Sequence, residues 1–290
     1  MSYIVFTDGC SNIPGSIVKQ KEIRMLPCSY VMDDVPGVYD GDLDHFDFHE
    51  FYEKLRHGST LKTSLLNSQL FMDHFRPALE SGKDVIYVGL SSGISGTIQA
   101  ARIAADELQE EFPERTIHVV DSLGAGFGTG LLACMAADLR KEGKSAREAG
   151  KLLDEAVPRL LQFFTVDNLM FLKRTGRVSG ATAAIGTVLN IKPLLWGDPT
   201  GHIVACEKHR GRKRSLDAIA EKYRAMVLDA DQQMVVITHG DCPEDAQLLA
   251  DKVSAISKPR ELLICPHEPF TGSHVGPGML ALFFFGKPRA

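Results

Sequence analysis

Apolar residues recur along this chain in two alternating rhythms. Short β-rich runs at Tyr3–Phe6, Ile23–Val31, Val85–Leu90 and Ile117–Val120 have the length and composition of buried strands. Between them, apolar positions three and four residues apart predict helices, first at Ile98, Ala101, Ala105 and Leu108, then at Leu131, Leu132, Met135, Ala136 and Leu139. Ser145-Ala-Arg-Glu148 has the form of a capping box, opening a helix through Leu152, Leu153, Ala156, Leu160 and Leu161. Strands alternating with helices predict a mostly parallel, three-layer α/β domain.

Beyond residue 162 the rhythm changes. Lys192–Trp196 and His202–Cys206 flank Gly197-Asp-Pro-Thr-Gly201 and predict a β-hairpin. A helix follows from Ser215, then a strand at Met234–Thr238, a helix with Pro243 in its first turn, and strands at Leu262–Cys265 and Leu280–Phe285. This half reads as a mixed-sheet α/β domain. Two domains are expected, 1–162 and 163–290, with no internal repeat or low-complexity tract.

Composition narrows the function classes. The 290 residues, 44% hydrophobic and 24% charged, suit a soluble globular protein with a sizeable core. A net charge of -5 argues mildly against a nucleic-acid or anionic-membrane partner. No apolar run approaches the roughly 20 residues that span a bilayer. Met1-Ser-Tyr-Ile-Val-Phe6 reads as a first strand, not a signal peptide. The six cysteines stand singly, without C-x-x-C, as free thiols do in a reducing compartment, so a cytoplasmic location is expected. The ten histidines lack ligand spacing, so neither a metal nor a cofactor is expected.

The densest chemistry lies between Asp84 and Ala101. An apolar strand ends in Gly89-Leu-Ser-Ser-Gly-Ile-Ser-Gly-Thr97, and a helix then starts. That order presents backbone N–H groups and hydroxyls at a helix N-terminus, where an anion is stabilised. Gly89-Leu-Ser-Ser-Gly93 also fits a nucleophile elbow, with Asp121 or Asp241 and then His274 in α/β-hydrolase order. A serine hydrolase using Ser91 and His274 is therefore the alternative, although no HGGG-type segment precedes it. A sensor of small anions or nucleotides is a third reading. Gly124–Gly130 does not fit G-x-G-x-x-G and is read as glycine for close backbone packing or ligand approach. Gly143-Lys-Ser145 is a helix cap, and Asp40-Gly-Asp-Leu-Asp44 lacks the glycine and glutamate of a calcium loop. Thr63-Ser64 is placed in a polar turn. The runs Lys173–Arg177 and Lys208–Arg214, with Gly272-Ser-His-Val-Gly-Pro-Gly278, suggest local positive charge near the anion site.

Taken together, Thr7-Asp-Gly-Cys-Ser-Asn-Ile-Pro14, Lys62-Thr-Ser64, Ser91-Ser-Gly-Ile-Ser-Gly-Thr97 and Val120-Asp-Ser122 resemble the DegV family. Phe171–Ser179, Leu189-Asn-Ile-Lys-Pro193 and Gly272–Gly278 continue the resemblance over almost the whole chain. It implies a bacterial fatty-acid-binding protein of phospholipid metabolism, with two α/β domains and an acyl chain held between them. Such a protein is not an enzyme alone; it presents the carboxylate of a long-chain fatty acid to a partner kinase that forms an acyl phosphate. The resemblance implies that Thr63 and Ser95 bind the carboxylate and that His274 lies near it. Arg177 and Arg210 would face the phosphate or the kinase, and transient membrane contact is compatible with the role. Ala100, Ala101, Ala104, Ala105, Ala181, Ala183 and Ala184 are small enough to leave room for a tunnel. The departures are Gly9-Cys10 in place of a serine-bearing pair, Lys173-Arg-Thr-Gly-Arg177 in place of Lys-Gly-Gly-Arg, and Leu65-Leu66 after Thr-Ser.

Overall fold

The computed structural model describes residues 2–41, 43–178 and 190–289. Asp42, Ser179, Ala181, Ala183, Ala184 and Leu189, all invoked above, lie outside the described residues. The chain divides into two compact units, Met1–His45 with Lys62–Val157, and Phe46–Leu61 with Pro158–Ala290.

The first unit is built on a parallel sheet of order β2-β1-β6-β7: β1 Tyr3–Asp8, β2 Ile23–Leu26, β6 Asp84–Gly89 and β7 Ile117–Asp121. Val5 pairs with Ile23 on one side and Ile86 on the other, and Val88 pairs with Val120. Strand order runs outward in both directions from the β1/β6 pair. In a parallel α/β sheet, that reversal opens a crevice beyond the carboxyl ends of the two central strands. Helix α1 Gly15–Gln20 leads into β2. Helix α3 Ser68–Glu80 packs on α4 Thr97–Glu111, and α5 Phe127–Lys141 packs on α6 Ala146–Ala156.

Ile23–Val31, expected as one strand, is two. Pro27 has no N–H to donate to a ladder, so β2 ends at Leu26 and β3 Cys28–Met32 begins a separate sheet. There β3 pairs with β4 Val35–Tyr39 through Asp33-Asp34, both at positive φ as a two-residue hairpin turn requires. The third strand of that sheet is β5 Leu61–Thr63. The helix predicted through Leu161 stops at Ala156, because Pro158 cannot continue it. Leu160 and Leu161 instead open β8 Leu160–Thr165. The capping box is as expected: Ser145 Oγ accepts from the Glu148 N–H while the Glu148 carboxylate accepts from the Ser145 N–H.

The second unit holds a mixed sheet of order β10-β9-β8-β13-β11-β12, with β9 Ile191–Gly197, β10 Ile203–Arg210, β11 Met234–His239, β12 Glu261–Pro266 and β13 Leu280–Phe285. Only the β11–β12 pair in this sheet is parallel. Its core stacks Phe163 on Trp196 at 5.9 Å and sets Tyr223 edge-on to Phe284 at 5.0 Å. Helices α8 Arg212–Met226 and α9 Pro243–Ile256 bury Leu216, Ile219, Leu249 and Val253 against it. Helix α2 Phe48–Arg56, which sequence patterning did not reveal, also belongs to this unit. Asp47 caps it by accepting from the Glu50 N–H at 2.9 Å, and Phe51, Tyr52 and Leu55 form its buried face.

Candidate functional site

In the first unit, β6 delivers Gly89 to a tight turn held by bonds within the turn and by bonds to the Asp121–Gly124 segment after β7. Ser91 N–H donates to Gly124 O at 2.9 Å, and Ser95 N–H donates to Ser91 O at 3.1 Å. Asp121, at the end of β7, accepts from the Ser92 N–H at 3.1 Å and the Leu123 N–H at 3.2 Å. Leu123 thereby holds a left-handed φ of 46°, uncommon for a branched apolar residue. Ser95 Oγ donates to Thr97 Oγ1 at 3.1 Å and accepts from the Thr97 N–H at 3.3 Å, just where the 15-residue α4 starts. The cap residue is Gly96, which has no side chain with which to occupy the helix N-terminus. Half-buried Ser95 is therefore the hydroxyl set beside an uncapped helix end.

Thr63 is the last residue of β5, not part of a turn, and it is half-buried. The loop after it approaches the serine turn: a methyl group built on Gly96 would lie 3.4 Å from Leu65 Cδ1. The segments carrying Thr63 and Ser95 are thus neighbours, although more than thirty residues apart in the chain. Ser91 does not fit a nucleophile elbow. It is fully buried, its Oγ accepts from the Gly93 N–H at 3.1 Å, and its backbone lacks positive φ. Of its two acid candidates, Asp121 braces the turn, and Asp241 pairs with Arg56 and His49. Glycine serves close packing at Gly130, where a Cβ would sit 2.5 Å from Ser11 O. Below the turn, Asp8 is wholly buried; burial raises its carboxyl pKa against the lowering effect of the Tyr87 hydroxyl and Cys10 N–H that donate to it.

In the second unit, α7 Met170–Thr175 ends at Gly176 in a left-handed cap, with Arg177 directly after it. Half-buried Arg177 donates to Thr175 O at 2.5 Å. His274 stands in the last turn of α10 Pro269–Val275. Burial first, then the guanidiniums of Arg177 and Arg174, push its pKa down to about 4, so it is a neutral imidazole near neutrality. Two glycines after it are obligatory. At Gly276 a Cβ would lie 2.5 Å from the Phe171 ring, and at Gly278 it would meet the Asp167 carboxylate, both at positive φ. Glu268, fully buried, accepts from the Phe270 N–H at 2.5 Å and the Thr271 N–H at 2.9 Å, capping α10. His267 links Thr238 at 2.7 Å to Thr271 at 2.8 Å, and burial holds its pKa near 3.

Arg210 is the exposed last residue of edge strand β10, opposite Ile191, and no contact among the described residues joins it to His274. Arg212, two residues on, is the embedded one, bound to Asp245 at 2.7 Å. Sequence reading also missed a cavity of about 760 Å³ in this unit, lined by Leu55, Arg56, Asp167, Phe171, Lys173 and Arg174 among others. Its walls come from three distant stretches, so no local motif announces it.

A model of the DegV family, described as uncharacterised proteins, matches residues 2–287. The chain belongs to the DegV family. A DegV domain-containing protein of Clostridium perfringens is 36% identical over 99% of this chain and 98% of its own length. The chain is similar to the fatty-acid-binding DegV family protein of Thermus thermophilus, with a TM-score of 0.87 and 29% identity over 99% of this chain and all of the other. It is likewise similar to DegV, a fatty acid binding protein from Bacillus subtilis, with a TM-score of 0.83 and 30% identity over the same shares. The expected α/β class, with a parallel and a mixed sheet, is the fold this DegV chain has. No helix among the described residues is long and apolar enough to cross a membrane.

Proposed function

We propose that this DegV protein binds a long-chain fatty acid, with its carboxylate at Ser95 and Thr63, and presents it to a partner kinase for acyl-phosphate formation. The observation that carries the reading is the uncapped start of α4, with the Ser95 hydroxyl at its mouth and the Thr63 loop beside it. Neutral hydroxyls and backbone dipoles stabilise a carboxylate without a buried counter-ion, whose desolvation is costly. The two fatty-acid-binding DegV relatives supply the ligand class. Burying about 14 methylenes at roughly 0.8 kcal/mol each gives about 11 kcal/mol gross, of which ordering and association remove a large share.

His274 and Arg177 take the supporting role in phosphorylation. A neutral imidazole and a guanidinium are donors suited to developing phosphate charge. Exposed Arg210 fits contact with the kinase. The protein does no chemistry alone, and its setting is the cytoplasm, where its thiols stay free. A serine hydrolase finds no support in the buried Ser91.

Native mass spectrometry of the purified protein tests the reading. A mass excess matching one long-chain fatty acid, released on denaturation, is expected. Absence of that excess, with no uptake of added palmitate or oleate, would overturn it.

A further inference from the structure

Three chemically active side chains converge under the β1 turn, outside the carboxylate site. Asp8, Cys10 and Cys28 each offer a ligand atom, and all three atoms lie within 4.8 Å of one another. Asp8 and Cys28 are fully buried and Cys10 nearly so. The convergence follows from the register of the sheet. Asp8 pairs with Leu26 across the parallel β1–β2 ladder, and each cysteine stands two residues beyond its member of that pair. Pro27 then turns the chain out of β2, so Cys28 starts a new strand beside the 3₁₀ turn that carries Cys10. Gly9 keeps the approach close, since a Cβ there would be 3.2 Å from the Cys28 sulfur.

We propose that Asp8, Cys10 and Cys28 form a binding site for a thiophilic divalent cation of the zinc class. Thiolate sulfur selects such ions over magnesium or calcium. The distances suit it: a point equidistant from three atoms 4.8 Å apart is about 2.8 Å from each. Zinc–sulfur and zinc–oxygen bonds are about 2.3 and 2.0–2.2 Å. Each sulfur therefore moves by at most about 0.5 Å and the carboxylate oxygen by at most about 0.8 Å. Orienting partners for the carboxylate are already in place. The Cys10 N–H donates to Asp8 Oδ1 at 2.9 Å and the Tyr87 hydroxyl donates to Oδ2, each leaving a lone pair for a metal. Among the described residues no lysine, arginine or histidine pairs with Asp8, so a bound cation would supply the only counter-charge to this buried carboxylate. Binding releases the two thiol protons to solvent, and the resulting thiolates coordinate the ion. The ion would clamp the β1 turn to the first residue of β3. The carrier role proposed above is not needed for this site.

The test uses the full chain, reduced and stripped of metal, with cobalt(II) as the optical probe, alongside protein produced in zinc-supplemented cells and analysed for metal content. One cobalt per chain is expected, with a sulfur-to-cobalt charge-transfer band in the near ultraviolet that one equivalent of zinc abolishes. Zinc-grown protein should carry about one zinc per chain. Cys10→Ser should weaken binding at least tenfold, and Cys10→Ser with Cys28→Ser should abolish the band. Folding of each variant is checked by the fluorescence of Trp196, which lies in the other unit, and by circular dichroism. If the double variant does not fold, Cys10→Ser alone decides. Three outcomes overturn the proposal: no charge-transfer band together with no zinc in the grown protein, binding unchanged in Cys10→Ser, or a Cys10–Cys28 disulfide in the freshly purified protein. Unchanged binding would direct attention to the cluster of exposed His49 with half-buried Glu53 and Asp241.

Discussion

The two units carry their polar chemistry in opposite ways. In the first, the serine turn is held by partners within a few residues and by one other short segment, Asp121–Gly124, so two short stretches of sequence contain its geometry. In the second, the buried chain Thr238–His267–Thr271–Glu268 joins β11 to the loop before α10 and to α10 itself, and Tyr52 from α2 donates to His267 O at 2.9 Å from 215 positions away. A local motif survives reading as a string, while a distributed network exists only after folding. The difference is also electrostatic. The first unit offers neutral hydroxyls and a helix end; the second keeps imidazoles neutral chiefly by burial, helped at His267 by the neighbouring His239 and at His274 by the guanidiniums of Arg177 and Arg174.

That contrast is tested most severely by acid. His267 and His274 have folded pKa values of about 3 and about 4, both below the ordinary 6.5. As pH falls, the unfolded chain therefore takes up protons first, and stability present above pH 6.5 is lost on the way down towards the folded values. The slope is roughly 1.4 kcal/mol per pH unit for each histidine. The chain has a single tryptophan, Trp196, in the second unit. Urea midpoints followed by its fluorescence should drop steadily from pH 7 to 5, and His267→Gln should flatten the slope, which it shares with His274 and with His239, also lowered by burial. Midpoints flat over this range would show that neither histidine is held neutral by the fold.

A smaller effect is expected from Gly130→Ala, which places a methyl 2.5 Å from the backbone oxygen of Ser11. Overpacking against immovable backbone costs about 3 kcal/mol. The loss should show in circular dichroism, with the Trp196 transition less affected, because the collision lies wholly within the first unit. Equal shifts in both signals would mean that the two units unfold as one.

The smallest effect concerns binding. Ser95→Ala with Thr63→Ala should weaken fatty-acid affinity by roughly tenfold to a hundredfold, about 1.4–2.8 kcal/mol, without lowering the melting temperature. Charge-assisted hydrogen bonds are worth more than this in isolation, but water at a half-exposed turn replaces part of them. Unchanged affinity in the folded double variant would place the carboxylate elsewhere.

By itself the sequence determined the alternation of strands and helices, the capping box at Ser145, the Asp198–Gly201 hairpin and the serine turn before α4. Each rests on hydrophobic period, cap chemistry or turn residues, all of which act within about ten positions. Pro27 and Pro158 were visible too, and their breaks follow from the missing N–H, yet apolar neighbours on both sides disguised them as continuous elements. Tertiary structure alone decided that α2 joins the second unit, that Arg212 is engaged where Arg210 is exposed, and that Cys10, Cys28 and Asp8 meet. Those outcomes depend on which strands become neighbours and in what register. That choice is set by burial summed over a whole sheet, and no single segment contains it.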